Sequence, residues 1–212
     1  GMRQAAFALA FLDYNIIGSS AIESDSRVMW RRQVGERVRA LAPFLRFDSD
    51  PYPVINGGRV LWVIDGYTTS DRYPYGQGAD LGQLKAGSGL TDPFNYIRGS
   101  VKAVVDAYDG SVSFYVVDDV DPVLRVWRSA FPDLFIPLSE APAGLADHFR
   151  YPEDLFRVQT AAYSKYQLGP DQFFDDRNNA WSVAEEPPNK IGVDEVAQVP
   201  EGTVAGSAQD TT

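Results

Sequence analysis

The 212-residue chain carries 29 acidic and 19 basic side chains, which gives a formal net charge of −10 at pH 7. A surface of that sign repels phosphate groups, so the charge disfavours nucleic acid and anionic headgroups as partners of the whole domain. The chain has no cysteine and one histidine, His148, which excludes disulfides, thiolate catalysis and a multi-histidine metal centre. A hydrophobic content of 44%, with 13% aromatic residues, is sufficient for a packed core.

The N-terminal region predicts two helices and no membrane span. Gly1 precedes Met2, an order that translation does not produce, and we expect Gly1 to remain from a cleaved tag. Apolar residues at helical spacing predict an amphipathic helix over 5–20, but charged and polar positions keep the apolar run below the roughly 18–20 residues of a membrane-spanning helix. A second helix is predicted over 26–45, with Ser26 as its N-cap. We expect the fragment to be water-soluble by itself.

Alternating apolar and polar residues predict strands in the middle of the chain. Residues 59–64 form one strand, and the Asn-Gly-Gly turn at 56–58 pairs it with residues 53–55. Residues 67–93 are rich in Gly, Tyr and Ser and show little periodicity, so they are predicted to form one long loop. Loops of that length are usually either functional or mobile.

Asp109-Gly110 is the strongest turn signal in the chain, and it predicts a hairpin between strands at 101–108 and 112–117. One face of the first strand carries small apolar residues, beginning with Val101, while Lys102 begins the opposite face. A slip of one residue in the pairing would exchange these faces, so the turn is expected to fix the register.

Helices are predicted again after the hairpin. Asp121 is a suitable N-cap and Pro122 a suitable first-turn residue for one helix. Turns that contain proline precede two more predicted helices, near 140–149 and 152–167.

The composition changes near the C-terminus. From Asp171 onward the chain holds nine acids and two bases, and no aromatic residue follows Trp181. This composition is typical of a linker. We therefore predict a single domain over 2–175 and an acidic linker or extended tail over 176–212.

Two Asp-rich segments, 48–50 and 118–121, contain oxygen ligands of the kind that calcium binds. Neither has the spacing of a dedicated calcium loop, and Asp is favoured at strand ends and helix caps, so turns and caps are the preferred explanation. No metal and no cofactor is predicted. A glycoside hydrolase would require two carboxylates that face each other across a cleft, and Asp65 and Asp106 on adjacent predicted strands are the pair considered for that alternative.

Patterns for nucleophilic and phosphate chemistry are weak. Residues 87–89, Gly-Ser-Gly, do not form the Gly-x-Ser-x-Gly motif of a nucleophile elbow. His148 lies near a predicted helix end, where a surface or capping role is favoured over a general base. No phosphate loop or dinucleotide-binding motif occurs. No catalytic residue is predicted, and the chain is not expected to be an enzyme.

The segment 66–75 interleaves aromatic rings with hydrogen-bonding groups. Such mixtures suit sugar or peptide surfaces, because rings stack on the ligand while polar groups fix its orientation. The competing explanation is a loop that is held in place by its own tyrosines or that packs on another part of a longer protein. The binding hypothesis selects six residues: Tyr67, Thr68, Asp71, Arg72, Tyr73 and Tyr75.

Seven blocks of sequence resemble the bacterial membrane proteins grouped as Uncharacterised Protein Family 0182. Their order and spacing agree with that family, and together they cover most of residues 5–175. The blocks are FALAFLDYNII (7–17), the segment 25–44 around its ERV-x-ALAPFL core, DPYPV (50–54), WVIDGYTTSDRYPYGQ (62–77), NYIRGSVKAVVDAYDGSVSFYVVDD (95–119), DPVLRVWRSAFPDLF (121–135) and HFRYPEDLFRVQ (148–159).

The resemblance implies a topology and no activity. Family members resemble proteins in which several N-terminal transmembrane helices precede a long region outside the cytoplasm. This chain would be the first part of that region, in a parent protein located at the cell membrane. The family supplies no catalytic or binding residue that could be carried over to this chain.

The patterns as a whole predict an α+β domain, with a mostly antiparallel sheet built around the 101–117 hairpin and helices packed on one face. The predicted function is a non-enzymatic binding or assembly module at the cell envelope. Its expected partners are the remainder of the parent protein and envelope proteins or glycan, without nucleic acid and without membrane contact other than through the absent transmembrane region. The alternative is a hydrolase of envelope glycan.

Overall fold

The structure is a computed structural model that describes residues 2–19, 22–23, 26, 31–166 and 183–184. The helices are α1 (Met2–Phe11), α2 (Asn15–Gly18), α3 (Val34–Leu41), α4 (Pro122–Ala130) and α5 (Glu153–Ser164). The strands are β1 (Arg46–Phe47), β2 (Tyr52–Asn56), β3 (Arg59–Ser70), β4 (Tyr96–Asp106), β5 (Val112–Val116) and β6 (Phe135–Pro137). Most of the predicted tail at 176–212 lies outside the described residues.

All six strands belong to one sheet, in the order β1-β3-β4-β5-β6, with β2 on the same edge of β3 as β1. Every pairing is antiparallel except that of β5 with β6. The two long central strands, β3 and β4, make the most extensive pairing. The α+β prediction with a mostly antiparallel sheet is therefore confirmed, and the predicted 101–117 hairpin lies at its centre.

The pairing of β3 with β4 is interrupted by a bulge. Gly66 pairs with Val101, but the next paired positions are Thr68 and Arg98, so β4 has one residue more than β3 in between. In a bulge of this kind, two adjacent residues point to the same side. Ser100 and Val101 accordingly lie on one side of the sheet, where Ser100 bonds to Asp121 and Val101 joins the apolar core.

One face of the sheet is covered by α3 and α4. The apolar residues predicted on the first face of the hairpin, Val101, Ala103 and Val105, are buried there. They pack with Val38 from α3 and Leu124 from α4, both of which are fully buried. Removing this apolar area from water is the main stabilising contribution of this face.

The opposite face holds two further clusters. In the first, Val104 packs with residues of β2, β3 and β5 and with the buried Leu145 from the segment after β6. In the second, Tyr67 packs with Leu90 and Phe94 of the long loop and with Leu155 and Val158 of α5. The loop thus contributes to the core at one end of the sheet.

Several predicted elements differ from the observed ones. The helix predicted over 5–20 ends at Phe11, because Leu12 adopts a φ of 53° and the Asp13 side chain then accepts a hydrogen bond from the Asn15 amide at the start of α2. The prediction that a helix over 26–45 begins at Ser26 is wrong. Ser26 does not cap it but accepts a bond from Glu23, and Gln33 is the N-cap of the shorter α3.

Two other predictions are also corrected. The helix predicted near 140–149 is replaced by two 3-10 turns, Leu138–Glu140 and Ala146–His148, because Pro142 and Gly144 between them interrupt helical hydrogen bonding and Gly144 has a φ of 77°. The loop predicted to begin at residue 67 begins at 71, because pairing with β4 continues β3 to Ser70. The residues around position 67 do not by themselves indicate this pairing, because their partners lie about thirty positions later in the chain.

The contribution of the face covered by α4 can be measured with two variants on that helix. Leu124→Ala leaves a cavity under α4 and should lower the free energy of unfolding by about 2–5 kcal/mol in urea denaturation. Val126→Ala is the matched control, because Val126 is 66% exposed on the same helix, and it should change the value by less than about 0.5 kcal/mol. Equal effects of the two variants would contradict this packing.

Candidate functional site

The structure divides the six predicted binding residues into two groups. Tyr67 and Thr68 lie within β3 and are fully buried, so their selection as contact residues is wrong. The pairing of β3 with β4 places them under the loop rather than on it. The other four, Asp71, Arg72, Tyr73 and Tyr75, are exposed on the segment that follows β3. We call residues 71–77 the tyrosine loop.

The tyrosine loop is held by one side chain, that of Asn95, the residue directly before β4. The Asn95 amide oxygen accepts a hydrogen bond from the Tyr73 backbone N–H at 2.9 Å. The Asn95 amide nitrogen donates to the carbonyl oxygens of Tyr73 at 2.8 Å and Gly76 at 3.3 Å. Three bonds from one side chain fix the backbone of the loop on both sides of its tip.

The aromatic rings of the tyrosine loop are presented outward. Tyr73 stacks on Tyr96, with ring centroids 5.8 Å apart, and remains 56% exposed. Tyr75 is fully exposed and has a φ of 59°, in the left-handed region that bulky residues rarely adopt. Such a conformation is maintained only where the surroundings impose it. The loop therefore holds a tyrosine ring in water at a cost in backbone energy.

The base of the loop is fixed to α4 through Asp121. This fully buried carboxylate accepts hydrogen bonds from the hydroxyl groups of Thr68, Ser100 and Tyr96, and from the Val123 backbone N–H as the N-cap of α4. Burial raises the pKa of Asp121, but the four hydrogen bonds outweigh that effect and the net pKa is lowered. Burial and the bond to Asp121 raise the pKa of Tyr96 to about 12, so its hydroxyl stays a donor.

A second polar group is buried beneath the opposite face. Asp48 accepts hydrogen bonds from the Tyr67 hydroxyl and from the backbone N–H groups of Asp50 and Asp154. The Asp154 carboxylate in turn accepts two bonds from Ser49, at 2.9 and 3.0 Å. These contacts join the interruption between β1 and β2 to the first turn of α5. We call Asp48, Asp65, Lys102, Asp154 and Tyr67 the buried acid network.

Lys102 supplies the positive charge of the buried acid network. It forms an ion pair with Asp65 across β3 and β4, and it donates to the Arg150 carbonyl oxygen at 2.6 Å. Burial raises the pKa of Asp65 to about 6, although the neighbouring Lys102 opposes that rise. Burial also raises the pKa of Asp154, and the like charge of the nearby Asp48 raises it further. Burial and Asp48 raise the pKa of Tyr67, which keeps its hydroxyl protonated as a donor.

The structure does not bring Asp65 and Asp106 together. They occupy one face of the sheet but are offset by four residues, because Asp65 pairs with Lys102 and Asp106 with Leu61. At about 3.3 Å per residue, their backbones are about 13 Å apart. Asp106 forms an ion pair with Arg59 at 2.6 Å, and the hydrogen bond from Arg59 lowers the pKa of Asp106.

The two Asp-rich segments serve turns and caps, as the preferred explanation predicted. Asp48 and Asp118 each accept a bond from the amide two residues onward, and Asp121 caps α4. Within the described ranges, no cluster of three or more His, Asp or Glu residues is arranged to hold a metal ion. His148 ends a 3-10 turn, and Ser88 accepts a bond from the Leu90 amide.

Sequence reasoning missed Asn95 and Tyr96, which position the tyrosine loop. They follow the loop by about twenty positions and lie at the start of a strand, where a polar residue and an aromatic residue are unremarkable. Only the pairing of β4 with β3 brings them under Tyr73. An Asn before a strand is a common turn residue, but it does not indicate which backbone it will bond.

These features define a class of protein domain: a small α+β domain with an ordered, exposed aromatic loop and a separate buried acid network. The sequence comparisons identify the family. The family model described as an uncharacterised protein family, UPF0182, matches residues 1–204. The chain therefore belongs to UPF0182.

Relatives in several bacteria are similar over nearly all of the chain. A UPF0182 protein of Micrococcus luteus is 44% identical over 86% of the chain, and one of Bradyrhizobium diazoefficiens is 48% identical over 85%. A UPF0182 protein of Desulforamulus reducens is 41% identical over 95%. The chain spans only 18–20% of the length of these relatives. No solved structure matches it significantly.

The structural role assigned to Tyr67 can be tested by removing one hydroxyl group. Tyr67→Phe leaves Asp48 buried with one donor fewer, so we expect the free energy of unfolding to fall by about 1–3 kcal/mol. Tyr73→Phe, on the exposed loop, should change it by less than about 0.5 kcal/mol. Chemical denaturation followed by circular dichroism measures both values, and a neutral Tyr67→Phe would contradict a structural role for the hydroxyl.

The raised pKa of Asp65 predicts a pH dependence of stability. The folded state binds this proton more tightly than the unfolded state, so stability through Asp65 increases as pH falls from about 6 toward 3.8. We expect the unfolding free energy of the wild type, relative to Asp65→Asn, to increase across this window by up to about 3 kcal/mol. A relative stability that decreases with acid would mean that the Lys102 ion pair outweighs burial.

Proposed function

We propose that this chain is a non-enzymatic binding or assembly module in the extracytoplasmic part of a multi-pass membrane protein. Its contact surface is the tyrosine loop, residues 71–77. The observation that carries this proposal is the outward position of Tyr75, which is fully exposed in a left-handed backbone conformation while Asn95 fixes both sides of the tip.

Order and exposure together favour recognition over a purely structural role. A tyrosine that only anchored the loop would be buried, as Tyr67 is. Tyrosine gives a large amphipathic contact area with few rotatable bonds, and a loop that is already ordered loses little entropy on binding. Asp71 and Arg72, next to each other in the tyrosine loop, add two exposed groups of opposite charge. The loop therefore combines rings that stack with polar groups that set orientation.

The length of the relatives favours the remainder of the parent protein as the first partner. This chain corresponds to about a fifth of each relative, so most surfaces next to it in the full-length protein come from other segments. Envelope proteins and glycan are the further candidate partners. No helix among the described residues is long and apolar enough to cross a membrane.

The alternative function, hydrolysis of envelope glycan, is less well supported by the geometry. The raised pKa of Asp65 is a property that a general acid requires. However, Asp65 is 3% exposed, and the two carboxylates pair with different cations, Asp65 with Lys102 and Asp106 with Arg59, rather than facing a common cleft. The pairing of Asp65 with Lys102 gives it a structural role instead.

A photo-crosslinking experiment tests the proposed contact surface. A photoreactive phenylalanine analogue at position 75 of the full-length protein in native membranes should yield a specific adduct after irradiation, mapped by mass spectrometry. The same analogue at position 163 is the matched control, because Tyr163 is 63% exposed and belongs to α5 rather than to the tyrosine loop. Addition of Tyr73→Ala should reduce the adduct severalfold. Equal adducts from both positions, or none from 75, would reject the proposal.

A stability measurement separates lost contact from lost folding. Tyr75→Gly removes the ring at a position whose φ of 59° glycine adopts readily, so the free energy of unfolding should stay within about 1 kcal/mol of the wild type. When added to the crosslinking experiment, the same variant should no longer compete with the wild-type domain for binding to the partner. A variant that remains folded and still competes would contradict a role for the Tyr75 ring.

A further inference from the structure

A cavity of about 470 Å³ lies outside the tyrosine loop, and none of the five residues of the buried acid network lines it. Its walls come from the end of α3, from β1 with the residues that precede it, and from the loop at 87–91. Cavities that hold small ligands are commonly about 300–1,000 Å³, so this one accommodates a small molecule. Nothing in the tyrosine loop contributes to it.

Two arginines reach this cavity from different elements. Arg39 lies in the last turn of α3, and its guanidinium donates to the Gly87 carbonyl oxygen at 2.9 Å. No carboxylate among the described residues forms an ion pair with Arg39. Arg46 lies in β1 and pairs with Asp92, whose carboxylate is 66% exposed. Two guanidinium groups thus line one cavity with only one acidic partner between them, on a chain whose net charge is −10.

The wall formed by the 87–91 loop is held in place by a close backbone approach. Gly89 donates its N–H to the Phe47 carbonyl oxygen at 2.9 Å, and a Cβ at position 89 would lie 2.7 Å from that oxygen. Only glycine therefore allows the loop to lie this close to β1. Thr91, an exposed residue at the end of the same loop, also lines the cavity. The remaining lining combines Ser88, whose side chain also bonds Asp154, with Pro43, Leu45 and Phe47. Of the three apolar residues only Pro43 is exposed.

The arrangement favours a phosphate group as the ligand. A guanidinium presents a planar fork of N–H donors that bonds two oxygens of a carboxylate or phosphate at once. Two forks from different elements can share the three terminal oxygens of a phosphate monoester, whereas a carboxylate offers them only two oxygens. A long polyanion would be repelled by the acidic remainder of the surface, whereas repulsion of a small anion beyond about 8–10 Å is screened by salt.

We propose that the cavity between α3, β1 and the 87–91 loop binds a small phosphate monoester, with Arg39 and Arg46 as its phosphate ligands. Asp92 competes with the phosphate for Arg46. The exposed ring of Pro43 contacts the ester group, which distinguishes a phosphate ester from inorganic phosphate. This site is independent of the proposed contact function of the tyrosine loop.

Isothermal titration of the purified chain with glycerol 3-phosphate, inorganic phosphate and acetate tests the site. Saturable binding of glycerol 3-phosphate is expected, with acetate at least tenfold weaker. Tighter binding of the ester than of inorganic phosphate would support the apolar contact, and equal binding would support a site for the phosphate group alone. No saturable binding of either phosphate, or acetate that binds equally well, would overturn the proposal.

Variants of the three charged residues assign the binding to this cavity. Arg39→Gln and Arg46→Gln should each weaken phosphate binding at least tenfold, while Arg125→Gln, on the exposed side of α4, should leave it unchanged. Asp92→Asn should strengthen it severalfold, because it removes the competing carboxylate from Arg46. This gain does not depend on the arginine variants being folded. Phosphate binding that none of the cavity variants alters would overturn the assignment to this site.

Discussion

A lysine–aspartate pair in the middle of the sheet determines how the rest of the domain is assembled. Lys102 and Asp65 face each other on the two longest strands, and Lys102 also bonds the Arg150 carbonyl oxygen just before α5. A packing that separated them would leave buried polar groups without their hydrogen-bond partner, at a cost of about 1–3 kcal/mol, and would be disfavoured. The pair therefore fixes both the register of β3 with β4 and the position of the segment that leads into α5.

The other buried acids depend on neutral donors, because one lysine is available to three carboxylates. Asp48 is compensated by Tyr67 and by two backbone N–H groups, and Asp154 by Ser49. Buried polar groups of this kind are tolerated only when their hydrogen bonds are satisfied. The interruption between β1 and β2 is therefore needed for the core, because it places Asp48 and Ser49 in contact with the first turn of α5.

The exposed surfaces rest on this interior. The strand that carries Asp65 continues through Thr68, which bonds Asp121, to the tyrosine loop. The bulge opposite Gly66 turns Ser100 toward the same aspartate, while Asn95, directly before β4, fixes the loop itself. The loop can keep Tyr75 in an unfavourable backbone conformation because both strands at its base are locked in register. The arginine-lined cavity likewise depends on β1, which pairs with the same long strand.

Local patterns were sufficient for the elements whose signals are contained in a few neighbouring residues. The Asp109-Gly110 turn with its alternating flanks predicted the central hairpin, the Asn-Gly-Gly turn predicted the pairing of β2 with β3, and Asp121-Pro122 predicted the start of α4. Each is a short-range preference of backbone geometry or capping, which the chain expresses wherever it folds. Exposed Tyr73 and Tyr75 were found in the same way, from the composition of their own segment.

The features decided by tertiary structure are those that depend on partners far along the chain. Nothing near Tyr67 indicates that β3 continues through it, because that extension is set by pairing with residues about thirty positions later. The same holds for Asn95 under the loop, for the separation of Asp65 from Asp106, and for the meeting of Arg39 and Arg46 at one cavity. In each case the decisive interaction is a long-range pairing or packing contact, and its free energy exceeds the weak preferences that the local sequence encodes.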